Sequence, residues 1–299
     1  MDKETLFYMS ADSLEDLKPM SDVFCLNGKV AIVTGTVGLA LFVINRLAEC
    51  GAKVVFGSRT DEWGKLAEET LREKGYEVSF LKTDVCNVND CYALTEFAEK
   101  KYGTVDIVVP VAATWAPRAF VDMKEEEWDE VIDTDLKGQY FTIQAAARSM
   151  IRGGKGGKVV TIASVAYRGD DMRTIAMMSN YNAAKGGVLG MTIGIAKELK
   201  QYGINVNCVA PGAMLTPGAM MNGLKSAELY GEEWNTDVMA TGSATPMSTS
   251  PDEVALMIAT MCTDVSNFMY GQVIDVDGGS QFSFQAKPWS YTMEGGKHA

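Results

Sequence analysis

Short apolar runs alternate with longer helix-like segments along most of this chain, and this alternation limits the fold more than any other feature. The first run, residues 29–34 (KVAIVT), is continuous and rich in β-branched residues, which is typical of a strand buried on both faces. A glycine-containing turn and a helical pattern separate it from the next run, at 52–56. Strands that alternate with helices of this length form parallel sheets through right-handed crossovers. The chain is therefore predicted to be an α/β protein, a single doubly wound domain with a central parallel sheet.

The same pattern continues to residue 276 and gives the expected bounds of the elements. Further strands are expected at 77–82, 105–110, 158–163, 204–209 and 272–276, and helices at 61–75, 88–102, 125–152, from 181 to about 202 and from 251 onward. The helix at 125–152 is expected to break near residues 133–135. We expect the domain to cover residues 27–280, with an extension at 1–26, a tail at 281–299 and a substrate lid at 212–250.

Charge, histidine content and cysteine spacing narrow the classes of function. The net charge is −12 and no basic patch is visible, so binding to nucleic acid or to an anionic membrane is not expected. The only histidine, His298, lies next to the C-terminus, which excludes a Ser-His-Asp triad unless the tail folds back. Six scattered cysteines predict reduced thiols in a cytoplasmic protein and no metal site. Residues 1–20 lack the apolar run of a signal peptide, and no stretch reaches the ~18 apolar residues of a membrane span.

The candidate chemistry is concentrated in residues 181–185 (YNAAK) and in Ser164 upstream of them. Tyr181 and Lys185 are four residues apart, so on a helix they project from one face. A lysine ammonium near a phenol stabilises the phenolate, which lets a group with a pKa near ~10 in water exchange protons closer to neutrality. A serine hydroxyl beside it could hold a carbonyl oxygen during the proton transfer. These groups suit the interconversion of an alcohol and a carbonyl, provided that another group carries the hydride.

The expected positions of these residues agree with that chemistry. An isolated Tyr-x-x-x-Lys pair also occurs on exposed helices with no catalytic role. Its place in the fold therefore decides between a catalytic pair and an incidental one. Ligands of doubly wound sheets bind beyond the carboxyl ends of the strands, and Ser164 and Tyr181 fall on that edge. The glycine turn at 34–40 (TGTVGLA) lies between the first strand and the first helix, where backbone N–H groups and the helix dipole bind a pyrophosphate.

Many short motifs occur in the order and at the spacing of one enzyme family. They are TG at 34–35, DV at 84–85, DIVV at 106–109, DLKG at 135–138, TIASVA at 161–166, YNAAK at 181–185, NVNCVAPGAMLT at 205–216 and GQVIDVDGG at 271–279. With these motifs the chain resembles the short-chain dehydrogenase/reductase family over about residues 27–280. The resemblance implies a Rossmann-type fold, a nicotinamide cofactor, a small-molecule substrate and a homo-oligomer, either a dimer or a tetramer.

The resemblance also implies roles for individual residues. Tyr181 is expected to give or accept the proton, and Ser164 to orient the substrate oxygen. Lys185 is expected to favour the ionised phenol and to hold the nicotinamide ribose. The full set of expected cofactor-binding residues is Gly35, Thr36, Gly38, Leu39, Ser58, Arg59, Asp84, Val85, Ala112, Tyr181, Lys185, Pro211, Gly212, Met214 and Thr216.

Two members of that set have a competing interpretation. Asp84, with Val85, is expected to flank the adenine, and Thr216 to contact the nicotinamide carboxamide or a phosphate. Asp84 could instead cap the end of a strand, and Thr216 could be an ordinary turn residue, because aspartate and threonine are common in both places.

Three departures from the family pattern carry expectations of their own. The glycine turn is one residue shorter than the family's TGxxxGxG, with Ala40 in place of the last glycine, at a position that serves helix–strand packing. Residues 110–113 (PVAA) replace the family's NNAG, and because proline has no N–H donor, we expect this strand to end at Val109. Asp135 replaces the asparagine of the family's NLKG-like run.

Asp135 is included among the expected catalytic residues, with three hypotheses for its state. An ionised carboxylate would act on Lys185 through its charge and would partly cancel the positive field at the Tyr181 phenolate. A carboxyl kept protonated by burial would imitate asparagine as a donor. A carboxylate that caps a helix at the break would have no electrostatic role.

The end of the second strand indicates which nicotinamide cofactor binds. NAD-dependent enzymes commonly place an acidic residue there, which holds both ribose hydroxyls and repels a 2′-phosphate. This chain has Ser58 and Arg59, a hydroxyl and a permanent cation, which favour NADP over NAD. The alternative is that Arg59 is a solvated surface side chain.

Apolar residues dominate the expected lid and indicate the kind of substrate. They are Met214, Met220, Met221, Leu224 and Met239, with Trp115 and Tyr167 at the expected mouth of the site. Because methionine is soft and adaptable, we expect a bulky hydrophobic substrate of steroid- or polyphenol-like shape. Together with the resemblance, this predicts an NADP(H)-dependent oxidoreductase that interconverts a secondary alcohol and a ketone. The methionines could instead belong to the core or to a subunit contact. A non-redox elimination enzyme and a non-catalytic nucleotide-sensing protein are the alternative functions on this scaffold.

Overall fold

The computed structural model describes residues 17–115, 117–168, 178–230 and 249–279. Its strands are β1 (Val30–Thr34), β2 (Lys53–Ser58), β3 (Val78–Lys82), β4 (Ile107–Pro110), β5 (Gly157–Ile162), β6 (Ile204–Pro211) and β7 (Val273–Val276). All pair in parallel, in the order β3-β2-β1-β4-β5-β6-β7. The chain winds outward from β1 in one direction and from β4 in the other, so the predicted doubly wound α/β domain is confirmed.

Helices cover both faces of this sheet. They are α1 (Met20–Val23), α2 (Leu39–Glu49), α3 (Asp61–Glu73), α4 (Val88–Tyr102), α5 (Glu125–Ile132), α6 (Gly138–Gly153), α7 (Ser179–Leu199), α8 (Pro217–Tyr230) and α9 (Pro251–Met261). The buried side chains of α2, α3 and α9 pack on one face of the sheet, and those of α4, α6 and α7 on the other. The sheet therefore has a separate apolar core on each of its two faces.

Strand β1 shows why the first apolar run has no polar positions. Ala31 and Val33 point into the core beneath α2 and α9, whereas Val30 and Ile32 point into the core beneath α4 and α6. Successive residues of a strand face opposite sides, so a strand covered on both sides needs apolar residues throughout. Burying each of these larger side chains contributes ~1.5–3 kcal/mol.

Strand β4 differs from the prediction at its C-terminal end. It continues through Pro110, which is buried and lies opposite Thr34, so the expected end at Val109 is wrong. The N–H that proline lacks falls at the last position of the strand. Just beyond it, the Ala112 N–H donates to the Thr34 hydroxyl oxygen at 3.1 Å. Proline is tolerated here because the ladder of backbone bonds ends at this residue.

The expected break in the long helix is a π-helical turn, Asp133–Lys137, between α5 and α6. The Gly138 N–H donates to the Asp133 carbonyl across this turn. A Cβ on Gly138 would lie 2.9 Å from Val85 Cγ2 and 3.1 Å from the Asp133 carbonyl, so the turn requires a residue without a side chain. Single π-helical turns are frequent at functional sites.

The terminal segments are described only in part. Lys18 pairs with Asp264 at 2.7 Å, α1 buries none of its residues, and Leu26 is buried where the domain begins. The tail at 281–299 and the lid residues at 231–248, which include Met239, lie outside the described residues. Of the helices in the described part of the chain, none has the length and apolar character needed to cross a membrane.

Candidate active site

Ser164 and Tyr181 lie at the carboxyl edge of the sheet, as predicted. Ser164 follows the end of β5 and leads into a 3₁₀ turn, Val165–Arg168, which packs against α7. Tyr181 is in the first turn of α7. The Ala166 N–H donates to Ser164 Oγ at 3.2 Å, so one lone pair of the serine hydroxyl is occupied within the turn.

Asn180, a buried residue, holds the start of α7 in place. Its Oδ1 accepts a bond from the Tyr181 N–H at 2.8 Å, and its Nδ2 donates to the Glu127 carbonyl of α5 at 3.3 Å. One turn further on, Lys185 Nζ lies 5.3 Å from the centre of the Tyr181 ring. The predicted shared face of the two side chains is therefore confirmed, with the ammonium placed over the aromatic ring.

Lys185 forms a buried ion pair with Asp135 of the π-helical turn. Lys185 Nζ lies 3.0 Å from Asp135 Oδ2, and the two side chains are 1% and 0% exposed. Lys185 Nζ also donates to the Ile162 carbonyl, at the end of β5, at 3.1 Å. Burial alone would lower the pKa of Lys185, but Asp135 and Tyr181 outweigh burial, and the pKa is raised above its ordinary value. The ammonium is thus held in its charged form.

The contacts of Asp135 exclude one of the three hypotheses for its state. Asp135 Oδ1 accepts a bond from the Thr114 N–H at 2.7 Å, and Oδ2 faces Lys185. Neither partner lies in the first turn of a helix, so the helix-capping interpretation is wrong. Burial raises the pKa of the Asp135 carboxyl, and Lys185 and the Thr114 N–H offset this only in part. The Lys185 ammonium 3.0 Å from Oδ2 and the N–H donor at Oδ1 nevertheless favour the ionised carboxylate.

A buried glutamine that sequence reasoning missed ties these parts together. Gln139 Nε2 donates to the Asp135 carbonyl at 2.9 Å and to the Ile162 carbonyl at 2.8 Å. Gln139 Oε1 accepts a bond from the Ile162 N–H at 3.1 Å. One side chain therefore joins the π-helical turn to the end of β5. A glutamine in a helical stretch has no sequence pattern that separates this role from a solvated one.

The glycine turn between β1 and α2 fits the pyrophosphate of a dinucleotide. Gly35 and Gly38 have φ values of 99° and 58°, which favour glycine. A Cβ on Gly35 would lie 2.9 Å from Ala40 Cβ, and one on Gly38 would lie 3.2 Å from Thr216 Cβ. Helix α2 begins at Leu39 with no side-chain cap and no acid in its first turn. Its first N–H groups and the positive end of its dipole can therefore face an anion.

Thr36, Ser58 and Arg59 lie together where the glycine turn meets the end of β2. Thr36 is buried, and its Oγ1 donates to Ser58 Oγ at 3.0 Å. Arg59 is exposed, and none of the carboxylates in the described segments lies within ion-pair distance of it. The guanidinium is therefore available to an anionic ligand.

Asp84 and Val85 both have structural contacts at the end of β3. The Asp84 N–H donates to Asp90 Oδ2 at 2.9 Å, and Asp84 Oδ1 accepts a bond from the Cys86 N–H at 3.0 Å. Val85 is 7% exposed and packs against the π-helical turn. The capping role considered for Asp84 is therefore present, and Ala112 lies at the same edge beside the glycine turn.

Pro211 and Gly212 mark the end of β6. Pro211 is the last residue of β6 and lies opposite Val276 of β7. The Gly212 N–H donates to the Val276 carbonyl at 2.9 Å, and a Cβ on Gly212 would lie 2.8 Å from Asp277 Cα. These contacts fix the direction in which the chain leaves the sheet toward the lid.

Thr216 joins the lid to the glycine turn. Its Oγ1 accepts a bond from the Ala219 N–H at 3.2 Å, so it caps α8, and its side chain contacts Gly38. Met214 is half-buried against the core, whereas Met220 and Met221 are 59% and 60% exposed. The core interpretation of the lid methionines therefore holds for Met214 and is wrong for the two on α8.

The comparison with known proteins identifies the family. The family described as enoyl-(acyl carrier protein) reductase matches residues 34–281. The chain belongs to the short-chain dehydrogenase/reductase family. One relative, the 3-oxoacyl-(acyl-carrier-protein) reductase FabG of Chlamydia muridarum, is 35% identical over 257 residues, which cover 85% of this chain and 98% of the relative. Subunit BbsD of the (2S)-((R)-hydroxy(phenyl)methyl)succinyl-CoA dehydrogenase of Thauera aromatica is 31% identical over 255 residues, 85% of this chain and 97% of the relative.

Solved structures of other short-chain dehydrogenases/reductases have the same fold. A variant of actinorhodin polyketide ketoreductase with NADPH is 29% identical, with a TM-score of 0.75 over 85% of this chain and 97% of the other. Levodione reductase is 26% identical, with a TM-score of 0.75 over 86% of this chain and 99% of the other. The protein is thus an oxidoreductase of a family that uses nicotinamide cofactors.

Proposed function

We propose that the protein interconverts a secondary alcohol and a ketone with NADP(H), as a carbonyl reductase or alcohol dehydrogenase of its family. The observation that carries this proposal is the position of Lys185, a buried and ion-paired ammonium 5.3 Å from the centre of the Tyr181 ring. A fixed ammonium beside a phenol favours the ionised phenol and makes proton exchange possible nearer neutrality. The phenol is then suited to carry a proton in a chain whose only histidine lies near the C-terminus.

Each residue of this group has a separate task. The nicotinamide, when bound, supplies or accepts the hydride. Because the Ala166 N–H occupies one lone pair of Ser164 Oγ, the hydroxyl hydrogen is left to donate to the substrate oxygen. Tyr181 protonates that oxygen as the ketone becomes an alcohol and takes the proton back in the reverse direction. Lys185 stabilises the phenolate, and Asp135 limits this stabilisation, since its charge partly cancels the field of the ammonium.

Arg59 supports the choice of NADP(H) over NAD(H). An arginine without a carboxylate partner among the described residues suits a 2′-phosphate, to which guanidinium binds by charge-assisted hydrogen bonds. We expect Arg59→Asp to weaken NADPH binding by roughly ten- to a hundredfold and NADH binding far less. Fluorescence titration with both nucleotides measures this. The control is Lys65→Asp, which reverses an exposed charge on the neighbouring helix α3 and should leave the ratio of NADPH to NADH affinity unchanged. Tighter binding of NADH than of NADPH by the wild type would contradict the assignment.

Exposed apolar side chains follow both strands next to β5, the strand that ends before Ser164, and support a bulky hydrophobic substrate. Strand β5 lies between β4 and β6 in the sheet. Phe120 and Val121, after β4, are 80% and 85% exposed, and Leu215 and Leu224, after β6, are 61% and 58% exposed. Exposed apolar groups that form one patch mark ligand or partner sites. A steroid- or polyphenol-like ketone is consistent with apolar residues after both strands, and a relative named as a 3-oxoacyl reductase and a neighbour named as a polyketide ketoreductase support a ketone substrate.

Two further expectations join this proposal. We infer a homo-oligomer, because members of the family commonly assemble in this way. We also infer a cytoplasmic location, which the six free cysteines support, since such thiols persist in reducing compartments.

Tyr181→Phe tests the proposed function. Turnover is measured by the loss of NADPH absorbance on a β-keto thioester, a bicyclic ketone and a steroid ketone. We expect the variant to lose ~10²–10⁴-fold in turnover, with NADPH affinity unchanged, because only the phenol oxygen is removed. Undiminished turnover would refute the proton role of Tyr181. NADPH binding without turnover on any ketone would favour the sensing alternative, and loss of water from a hydroxy substrate without NADPH would favour the elimination enzyme.

A further inference from the structure

An ion pair outside the Tyr181, Lys185 and Asp135 group anchors the turn that follows Ser164. Arg168, the last residue of this 3₁₀ turn, donates through Nη2 to the Asp275 carboxylate on β7. The two side chains are 22% and 21% exposed. Strand β6 lies between β5 and β7, so the pair spans a whole strand to reach the turn.

Arg168 is fixed by a second partner within its own turn. Its Nε donates to the Tyr167 hydroxyl at 3.2 Å, and its guanidinium carbon lies 5.2 Å from the centre of the Tyr167 ring. Tyr167 in turn packs against a small buried cluster that includes Ala163 and Val188. Charge-assisted bonding and ring contact together leave a long, flexible side chain few alternative positions.

The Asp275 carboxylate depends on this arginine. Its Oδ1 is buried and finds no hydrogen-bond donor among the described residues. Its other oxygen binds Arg168. Without the guanidinium, the carboxylate would lose its counter-charge in a half-buried place, which a chain tolerates poorly. The pair is therefore a specific contact and not an incidental meeting of two surface charges.

The turn between Ser164 and Arg168 controls the orientation of the serine. The Ala166 N–H donates to Ser164 Oγ at 3.2 Å, and the Tyr167 N–H donates to the Ser164 carbonyl at 3.0 Å. Both donors belong to residues that lie between the serine and the ion pair. A shift of the Arg168 end of the turn would move the N–H groups that hold the serine.

We propose that Arg168 and Asp275 are positioning residues that hold the Ser164 hydroxyl in line with the oxygen of the substrate carbonyl. The proposal rests on the proposed function, because it takes Ser164 as the donor to that oxygen. The pair acts through the 3₁₀ turn, and misplacement of a reacting group by about 1 Å can cost on the order of a hundredfold in rate.

Arg168→Gln and Asp275→Asn test this positioning role. On the ketone that the wild type reduces fastest, we expect kcat to fall by about ten- to a hundredfold, while NADPH affinity stays within about twofold. The matched control is Arg46→Gln, which removes a pair with Asp252 of similar exposure, 27% and 32%, between α2 and α9. The control should unfold more easily and keep its kcat. Arg168→Lys, which retains the charge, should keep most of the wild-type rate. If Arg168→Gln does not fold, Asp275→Asn and Arg168→Lys carry the test.

A double-mutant cycle separates positioning from a purely structural role. In a Ser164→Ala background, Arg168→Gln should lower kcat by less than about twofold, because the hydroxyl it would misplace is absent. An equal loss in both backgrounds, or an unchanged kcat in Arg168→Gln alone, would overturn the proposal. Turnover of the wild type on the ketone panel distinguishes the two levels of failure. If the wild type binds NADPH but reduces none of the ketones, the proposed function and the positioning role both fall. If the wild type is active and Arg168→Gln is equally active, the positioning role falls alone.

Discussion

Lys185 and Lys158 lie at opposite edges of the same sheet and are held in different ways. Lys185, at the carboxyl edge, has the Asp135 carboxylate 3.0 Å away, and its pKa is raised. Lys158, near the start of β5, donates to Asn205 Oδ1 at 3.0 Å and to Asn267 Oδ1 at 2.7 Å. It has no carboxylate within ion-pair distance in the described part of the chain, and burial lowers its pKa to about 8.

The difference shows what a carboxylate adds to a buried cation. Neutral oxygens can satisfy the donors of an ammonium, but they compensate only part of what burial costs a charge. Lys158 can therefore lose its proton just above neutrality, whereas Lys185 stays charged. The role proposed for Lys185 requires an ammonium that stays charged throughout turnover, and the pair with Asp135 secures this charge. The carboxylate also weakens the electrostatic field of Lys185 at Tyr181. Asp135 therefore keeps Lys185 charged but reduces its effect on the phenol.

Replacing each lysine by methionine tests this difference, and it has the largest expected effect on stability. Lys185→Met leaves Asp135 buried without a counter-charge and should destabilise the fold by ~3–5 kcal/mol. Lys158→Met removes bonds to neutral groups and relieves a desolvated charge, so we expect a change within about 1 kcal/mol. Urea unfolding of both variants measures the difference. Lys197→Met, at an exposed position on α7, sets the baseline. Equal losses at the two edges would show that the carboxylate adds nothing.

Asp135→Asn makes the site of Lys185 resemble that of Lys158. As long as Lys185 keeps its proton, removal of the negative charge strengthens the field of the ammonium at Tyr181, and the phenol ionises more readily. The ascending limb of the pH–rate profile for alcohol oxidation should move down by about one to two pH units. The control is Asp133→Asn on the same π-helical turn, whose partner Lys137, 3.0 Å away, is 43% exposed. An unmoved limb, in a folded variant that binds nucleotide normally, would mean that Asp135 is protonated in the working enzyme.

Asn267→Asp places a carboxylate beside Lys158, so that its site resembles that of Lys185. This variant has the smallest expected effect. In the folded protein Lys158 titrates at about 8, and in the unfolded chain near ~10.4. The unfolded state therefore binds more protons between these values, and the free energy of unfolding should rise with pH across that window. Screening by solvent reduces the rise to ~1 kcal/mol or less. A carboxylate at position 267 should raise the pKa of Lys158 and remove the rise. Unfolding titrations from about pH 7 to about pH 10 measure this, and the same slope in both proteins would contradict it.

The two lysines also show how far the sequence could be interpreted. The strands were predictable because a strand covered on both faces of the sheet needs an unbroken apolar run, as in β1. Tyr181 and Lys185 were predictable as neighbours because helical spacing alone brings them to one face. The motifs of the family then indicated which edge of the sheet carries the chemistry.

Contacts between distant elements were beyond this reasoning. Periodicity reports which face of an element is buried but not which side chain of another element meets it. The sequence left three states open for Asp135, and the contacts with the Thr114 N–H and with Lys185 exclude the helix-capping state. Arg168 and Asp275 are 107 residues apart, and Lys158 and Asn267 are 109 apart. Nothing in the local pattern of either residue of these pairs marks its partner.

The π-helical turn that carries Asp135 also constrains how this chain can vary in length. A π-helical turn holds one residue more than an α-helical turn, so deleting one residue from Asp133–Lys137 would let α5 and α6 join as a continuous α-helix at nearly the same relative rotation. Val131 of α5 and Gln139 of α6 are both buried, and they could keep their places after such a deletion. Asp135 could not, because the wide turn sets its position opposite Lys185. A single deletion in this segment would therefore cost the ion pair before it cost the packing of the two helices.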